Sequence, residues 1–268
     1  MLNVAAGGFH SQRIDASTTR LPMTDLRTSL CGLSCRVLQE ASPGARIELA
    51  VVLCHGFGAP GGDLVSLAPE LFRARPELAQ KVRFVFPEAP LSLRALGYGE
   101  GRAWWPLDIQ RLQALDGGNA SVARLRREIP EGLPRARRLL TGLIEELTLQ
   151  TQLPLGRVVL GGFSQGAMLA TDVALRLEEA PAGLVIFSGM LLNEVEWARR
   201  APIRRGLRVL QAHGRQDPLL PFASAEALRE LLVSSGLSVD FLDFDGGHTI
   251  TVEGVKRLGA FLATTLGR

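Results

Sequence analysis

At 268 residues, 46% of them hydrophobic and with no apolar run long enough for a helix to cross a bilayer, the chain is expected to form one globular domain with no integral membrane association. Thirty basic and 27 acidic residues leave a net charge of +3, and the basic residues, all arginine except Lys81 and Lys256, are interleaved with acids, so no nucleic-acid surface is expected. Three cysteines, Cys31, Cys35 and Cys54, make neither a disulfide framework nor a metal site, which points to a reducing compartment, the cytoplasm.

The first 28 residues mix Arg13, Asp15, Arg20, Asp25 and Arg27 with serine and threonine and lack the apolar core of a secretory signal. They are expected to form a flexible extension, with the folded domain over 29–268. Short apolar runs then alternate with helical patterns, the signature of a mostly parallel sheet covered by helices on both faces. Strands are predicted over 34–38, 49–54, 82–86, 157–160, 183–187, 207–212 and 239–244. After the second of these, Gly56-Phe57-Gly58-Ala59-Pro60-Gly61 imitates a dinucleotide-binding loop. No acid follows at the end of the next strand, and the next helix, starting near Ser66, carries Pro69 in its first turn, so nucleotide binding is not expected.

Residues 107–130 fit neither period and are expected as an excursion over the sheet edge that forms part of a cap. The arginines between Arg124 and Arg138 are read as a solvated face. Leu140, Leu143, Ile144 and Leu147 then recur at helical spacing in a surface helix over 133–149, whereas 165–177 is apolar nearly all round and predicts a buried helix. Thr251 stands as the N-cap of a closing helix.

Chemistry concentrates between these elements. Gly162-Phe163-Ser164-Gln165-Gly166 joins an apolar strand to the buried helix, the setting in which a sharp turn lifts a serine hydroxyl clear of the backbone. The pattern alone is weak in a chain with 29 glycines; its setting gives it weight. Asp217, in His213-Gly214-Arg215-Gln216-Asp217-Pro218, and His248, in Asp245-Gly246-Gly247-His248-Thr249, follow on later strand ends in the order nucleophile, acid, histidine. In acyl transfer His248 takes the Ser164 proton and Asp217 holds its tautomer, with Asp243 and Asp245 as alternative acids on nearby positions. An oxyanion needs two donors, the backbone N–H of Gln165 and that of Phe57 in the loop after the first core strand. His55 and His213, each between a strand and a glycine, are expected to shape turns. A non-catalytic binding module on such a fold is expected to lack a triad member, and all three are present.

Several short blocks make the resemblance specific. Leu53-Cys54-His55-Gly56-Phe57-Gly58, Pro87-Glu88-Ala89-Pro90, Arg102-Ala103-Trp104-Trp105, Gly161 to Gly166, His213-Gly214 with Asp217-Pro218, and Gly247-His248 occur in order over roughly 45–265. In these blocks the chain resembles the phospholipase/carboxylesterase family of small serine esterases, the group that includes the acyl-protein thioesterases. The first block has one residue inserted, and 107–130 is longer and richer in arginine than the family pattern. The resemblance implies an α/β-hydrolase fold, a central mostly parallel sheet flanked by helices on both faces. It implies cleavage of a small-molecule carboxylic ester through an acyl-enzyme without metal or organic cofactor, with thioester or lysophospholipid cleavage as the alternative. The implied triad is Ser164, Asp217 and His248, with Phe57 and Gln165 as the oxyanion donors and Trp104 and Trp105 near the pocket. Met190, Leu191 and Leu219 are expected to add to an apolar pocket, and monomer and homodimer are both left open.

Overall fold

A computed structural model describes residues 23–40, 46–108 and 119–268. The first two strands form a hairpin, β1 (Met23–Leu30) and β2 (Leu33–Glu40), turned on Cys31 and Gly32, both at positive φ as a two-residue hairpin turn requires. Residues 23–28, expected as the end of an extension, are therefore strand, paired to β2 from Met23↔Glu40 onwards. Residues 1–22 lie outside the described residues.

β3 (Leu49–Cys54), β4 (Val82–Pro87), β7 (Val158–Phe163), β8 (Gly183–Phe187), β9 (Arg208–Gly214) and β10 (Ser238–Phe244) complete an eight-stranded sheet, and a two-residue pair, β5 (Leu91–Ser92) and β6 (Arg102–Ala103), stands apart from it. The order is β1-β2-β4-β3-β7-β8-β9-β10, antiparallel through the hairpin and parallel from β4 to β10. The seven strands expected from the apolar runs are all present, with ends shifted by at most three residues.

Side chains alternate between two cores, as a pleated strand dictates. Ala50, Val52 and Cys54 of β3 face α3 (Leu133–Thr151) and α4 (Gln165–Arg176), whereas Leu49, Val51 and Leu53 face α1 (Leu67–Ala74) and α7 (Val252–Leu266). Three further helices, α2 (Asn119–Arg127), α5 (Glu194–Arg200) and α6 (Phe222–Ser234), lie in the segments between strands. α4 is buried from Gln165 to Leu175, as its apolar composition predicts. Its approach to the sheet depends on glycine, because a Cβ on Gly166 would run into the Cys54 carbonyl. Thr251 caps α7, its hydroxyl accepting from the Gly254 N–H at 3.1 Å.

Of the expected cap over 107–130, residues 109–118 lie outside the described residues. The rest supplies Leu107, Asp108, α2 and the turn to Pro130, which wall a cleft. The arginines after Arg124 do more than face solvent. Arg126 donates to the Ala223 carbonyl at 2.9 Å, and Arg137 reaches the carboxylate of Asp172, which is wholly buried in α4. Asp172 also accepts from Arg176 at 3.2 Å and from the Trp197 indole at 2.8 Å, tying α3, α4 and α5 together.

Candidate active site

Ser164 occupies the turn between β7 and α4 with φ 55° and ψ −119°, a conformation a side chain adopts only under strain. The turn is held on both sides: the Ser164 N–H donates to the Phe187 carbonyl at 2.9 Å, and the Ser164 carbonyl accepts from Met168 at 3.1 Å. Gly162 makes room for it, since a Cβ there would collide with the Cys54 carbonyl and the Gly166 backbone.

The loops after β9 and β10 bring Asp217 and His248 together. His248 Nδ1 lies 2.6 Å from Asp217 Oδ2, and the other carboxylate oxygen accepts the N–H groups of Leu219 and Leu220, each at 2.9 Å. A carboxylate only accepts, so Nδ1 carries the proton and leaves Nε2 bare. Burial acts to raise the pKa of Asp217, but the His248 hydrogen bond and the two N–H groups outweigh it and hold the acid below its ordinary value. Asp243 is taken by Arg215 and Asp245 is exposed, so of the three candidate acids Asp217 is the one bonded to the histidine. The His248 ring packs on Phe163, centroids 4.7 Å apart, and shares with Ser164 a pocket of about 100 Å³ that also touches Gly56, Phe57, Met168 and Leu219.

The loop after β3 is fixed by side chains whose importance is only partly visible in the sequence. His55 is buried; its Nε2 accepts the Ala89 N–H at 3.0 Å, so its Nδ1 carries the proton and donates to the Gly56 carbonyl at 2.8 Å. The Trp104 indole donates to the His55 carbonyl at 2.9 Å, and Arg102 binds the Ala89 and Pro90 carbonyls and Glu88. The widely separated blocks around His55, Ala89 and Trp104 thus form one braced unit. Burial pushes the His55 pKa below the usual histidine value and keeps the ring neutral at physiological pH. Among the described residues the backbone N–H of Phe57 donates to no group, and that of Gln165 is the first orphan donor of α4.

Gln165 contributes more than its backbone. Its buried amide accepts from the Trp104 N–H at 2.8 Å and donates to the Trp105 carbonyl at 2.9 Å, a bridge the motif did not announce. Trp105 and Met190 line a cleft of about 960 Å³ together with Phe57, Leu107, Met168 and Leu220, four residues it shares with the small pocket around Ser164. Leu219 belongs to the small pocket. Trp104 and Leu191, expected beside them, are buried and line neither space: Trp104 turns towards His55, and Leu191 packs in the core with its N–H on the Ser224 carbonyl at 3.2 Å. Trp105 lies on the bend that follows β6 and Met190 on the loop after β8, and of each expected pair only that residue reaches the cleft.

A strained serine, a histidine with one free nitrogen and a buried acid on neighbouring loops make a constellation suited to nucleophilic attack on an acyl carbon. Comparison with known proteins agrees. The model of the phospholipase/carboxylesterase family matches residues 39–266. Acyl-protein thioesterase 1 of Neurospora crassa is 29% identical over 226 residues, covering 83% of this chain and 89% of the relative. Acyl-protein thioesterase 1 of Eremothecium gossypii is 30% identical over 237 residues, covering 86% and 92%. Among solved structures, esterase PE8 is 31% identical and superposes with a TM-score of 0.71 over 87% of this chain and 99% of its own. A carboxylesterase from Mesorhizobium loti, 18% identical with a TM-score of 0.64 over 90% of this chain and 98% of its own, shares the fold. The chain belongs to the phospholipase/carboxylesterase family.

Proposed function

We propose that this α/β-hydrolase cleaves carboxylic esters through a covalent intermediate on Ser164. His248 Nε2 takes the proton from the Ser164 hydroxyl as its oxygen bonds to the acyl carbon, and the resulting oxyanion is held by the N–H groups of Phe57 and Gln165. The carbon–oxygen bond to the leaving alcohol then breaks, and His248 returns the proton to that oxygen, leaving the acyl group on Ser164. Water repeats the sequence in reverse: His248 removes its proton, the hydroxide oxygen bonds to the acyl carbon, and Ser164 departs with the proton. Asp217 keeps the Nδ1 proton in place throughout and stabilises the imidazolium. The observation that carries this reading is the 2.6 Å bond between His248 and Asp217 beside a serine at positive φ on the same pocket.

The adjoining cleft supports an apolar acyl group, since Trp105, Leu107, Met168, Met190 and Leu220 offer it a largely hydrocarbon wall. Thioester cleavage is the second reading, favoured by the curated relatives named acyl-protein thioesterase 1. No helix among the described residues is long and apolar enough to cross a membrane, and the free thiols of Cys31, Cys35 and Cys54 support a reducing, cytoplasmic setting. A panel of p-nitrophenyl esters from acetate to palmitate, set beside a palmitoyl thioester, tests the substrate class. Turnover of esters by the wild type that is lost in Ser164→Ala is expected, and exclusive turnover of the thioester would replace the first reading with the second.

A further inference from the structure

The loop carrying Asp217 is gripped from behind by a side chain that the proposed reaction does not touch. His213, near the end of β9, is wholly buried, with Nε2 3.0 Å from the Leu220 carbonyl oxygen and 3.4 Å from Asp217 Oδ2. The carbonyl only accepts, so Nε2 carries the proton and the ring is fixed in one tautomer. Leu220 is thereby held at both ends, its N–H by Asp217 Oδ1 at 2.9 Å and its carbonyl by His213. The Asp217 N–H closes the turn on the Gly214 carbonyl at 3.2 Å.

We infer that His213 is a positioning residue for the acid of the triad: its Nε2–H locks the turn that presents Asp217 and sets a positive edge beside Oδ2, the oxygen that holds His248. This rests on the triad reading proposed above. The effect passes to His248 because any loss of stabilisation at Oδ2 makes the carboxylate a stronger acceptor for the His248 proton. A histidine that merely filled the core would leave that proton alone. Among the described residues, the charged or titratable groups facing His248 apart from Asp217 are His213, behind the acid, and Asp63, which lines the same pocket, with Ser164 beside it.

The test is the pH dependence of kcat/KM for a p-nitrophenyl ester in wild type, His213→Leu and His213→Gln, with thermal melts of each and fluorophosphonate labelling of Ser164 as a check on the nucleophile. In His213→Leu the acid limb is expected to move up by about half a pH unit, and kcat to fall about tenfold with KM nearly constant, the scale of one lost hydrogen bond. His213→Gln, which keeps an N–H donor, is expected to bring the limb back towards wild type. An unmoved limb in folded His213→Leu would overturn the inference. Should that variant not fold, nitrogen-15 histidine spectra of the wild type decide: the His213 Nε2–H resonance must shift as His248 titrates, and a resonance that stays still refutes the coupling. Ester turnover that persists in Ser164→Ala would instead sink the triad reading, and the same spectra would then judge the link between His213 and His248 alone.

Discussion

Gln165 shows how one residue serves the site twice. Its backbone N–H opens α4 as a proposed oxyanion donor, while its side-chain amide pins Trp104 and Trp105 at 2.8 and 2.9 Å. Gln165→Leu would leave the Trp104 N–H and Trp105 carbonyl buried and unpaired, each at a cost of about 1–3 kcal/mol. A clearly lowered melting temperature and at least a tenfold drop in kcat/KM are expected, and wild-type values in both assays would contradict the bridge. The proposed backbone role follows from position in a short motif. The side-chain role does not, since its partners lie about 60 residues away in sequence and meet it only when the sheet is assembled. His213 is similar: the strand–glycine setting predicts a turn-shaping histidine, but nothing in the sequence indicates that it reaches the Leu220 carbonyl.

At the scale of elements, the strands and helices with strong patterns were readable, and those defined by partners were not. β3 and β8 are apolar along their whole length and have the bounds their apolar runs predict. β1 offered no such signal, because seven of its eight residues are exposed and it exists through pairing with β2. The Thr251 cap was legible from spacing. Thr251→Ala is expected to destabilise the protein by about 1 kcal/mol, measured by urea denaturation, and an unchanged midpoint would show that α7 does not need the bond. Asp172 lies wholly buried in α4, a helix apolar nearly all round. The structure makes it the shared acceptor for Arg137, Arg176 and Trp197. Asp172→Ala should cost about 3–5 kcal/mol by leaving the Arg137 guanidinium uncompensated and the Trp197 indole without its acceptor, while Arg176 keeps Glu196, and a loss below about 1 kcal/mol would show that the network is not a clamp.

For the molecule as a whole, parallel topology followed from strands apolar on both faces, whereas strand order and the cleft did not, because both depend on which elements become neighbours. The cleft draws its walls from the irregular excursion before α3, from α4 and from the loop after β8. Its size was hidden from any local pattern. The folded state also carries a pH signature. Burial depresses the pKa values of His55 and His213 below the ordinary 6.5. Both rings stay neutral when folded yet charge in the unfolded chain, so the unfolded state binds more protons as pH falls through about 6.5. The contribution of the two rings to stability is therefore complete above that value and is lost on acidification towards the folded-state pKa values. Denaturation midpoints measured at pH 7.5, 6.5 and 5.5 are expected to fall across the lower interval, and a flat series would mean that the two rings are not held neutral. Asp217 has the same sign in a lower window: its contribution is present above about pH 3.8 and is lost as pH falls through its depressed folded value.

The proposed chemistry turns on one residue, Ser164. Treating the pure protein with a fluorophosphonate and weighing it intact, followed by peptide mapping, asks directly whether Ser164 is activated. One adduct per chain on the peptide bearing Ser164, absent from Ser164→Ala and from His248→Ala, is the predicted result; no adduct, or one on another residue, would contradict it.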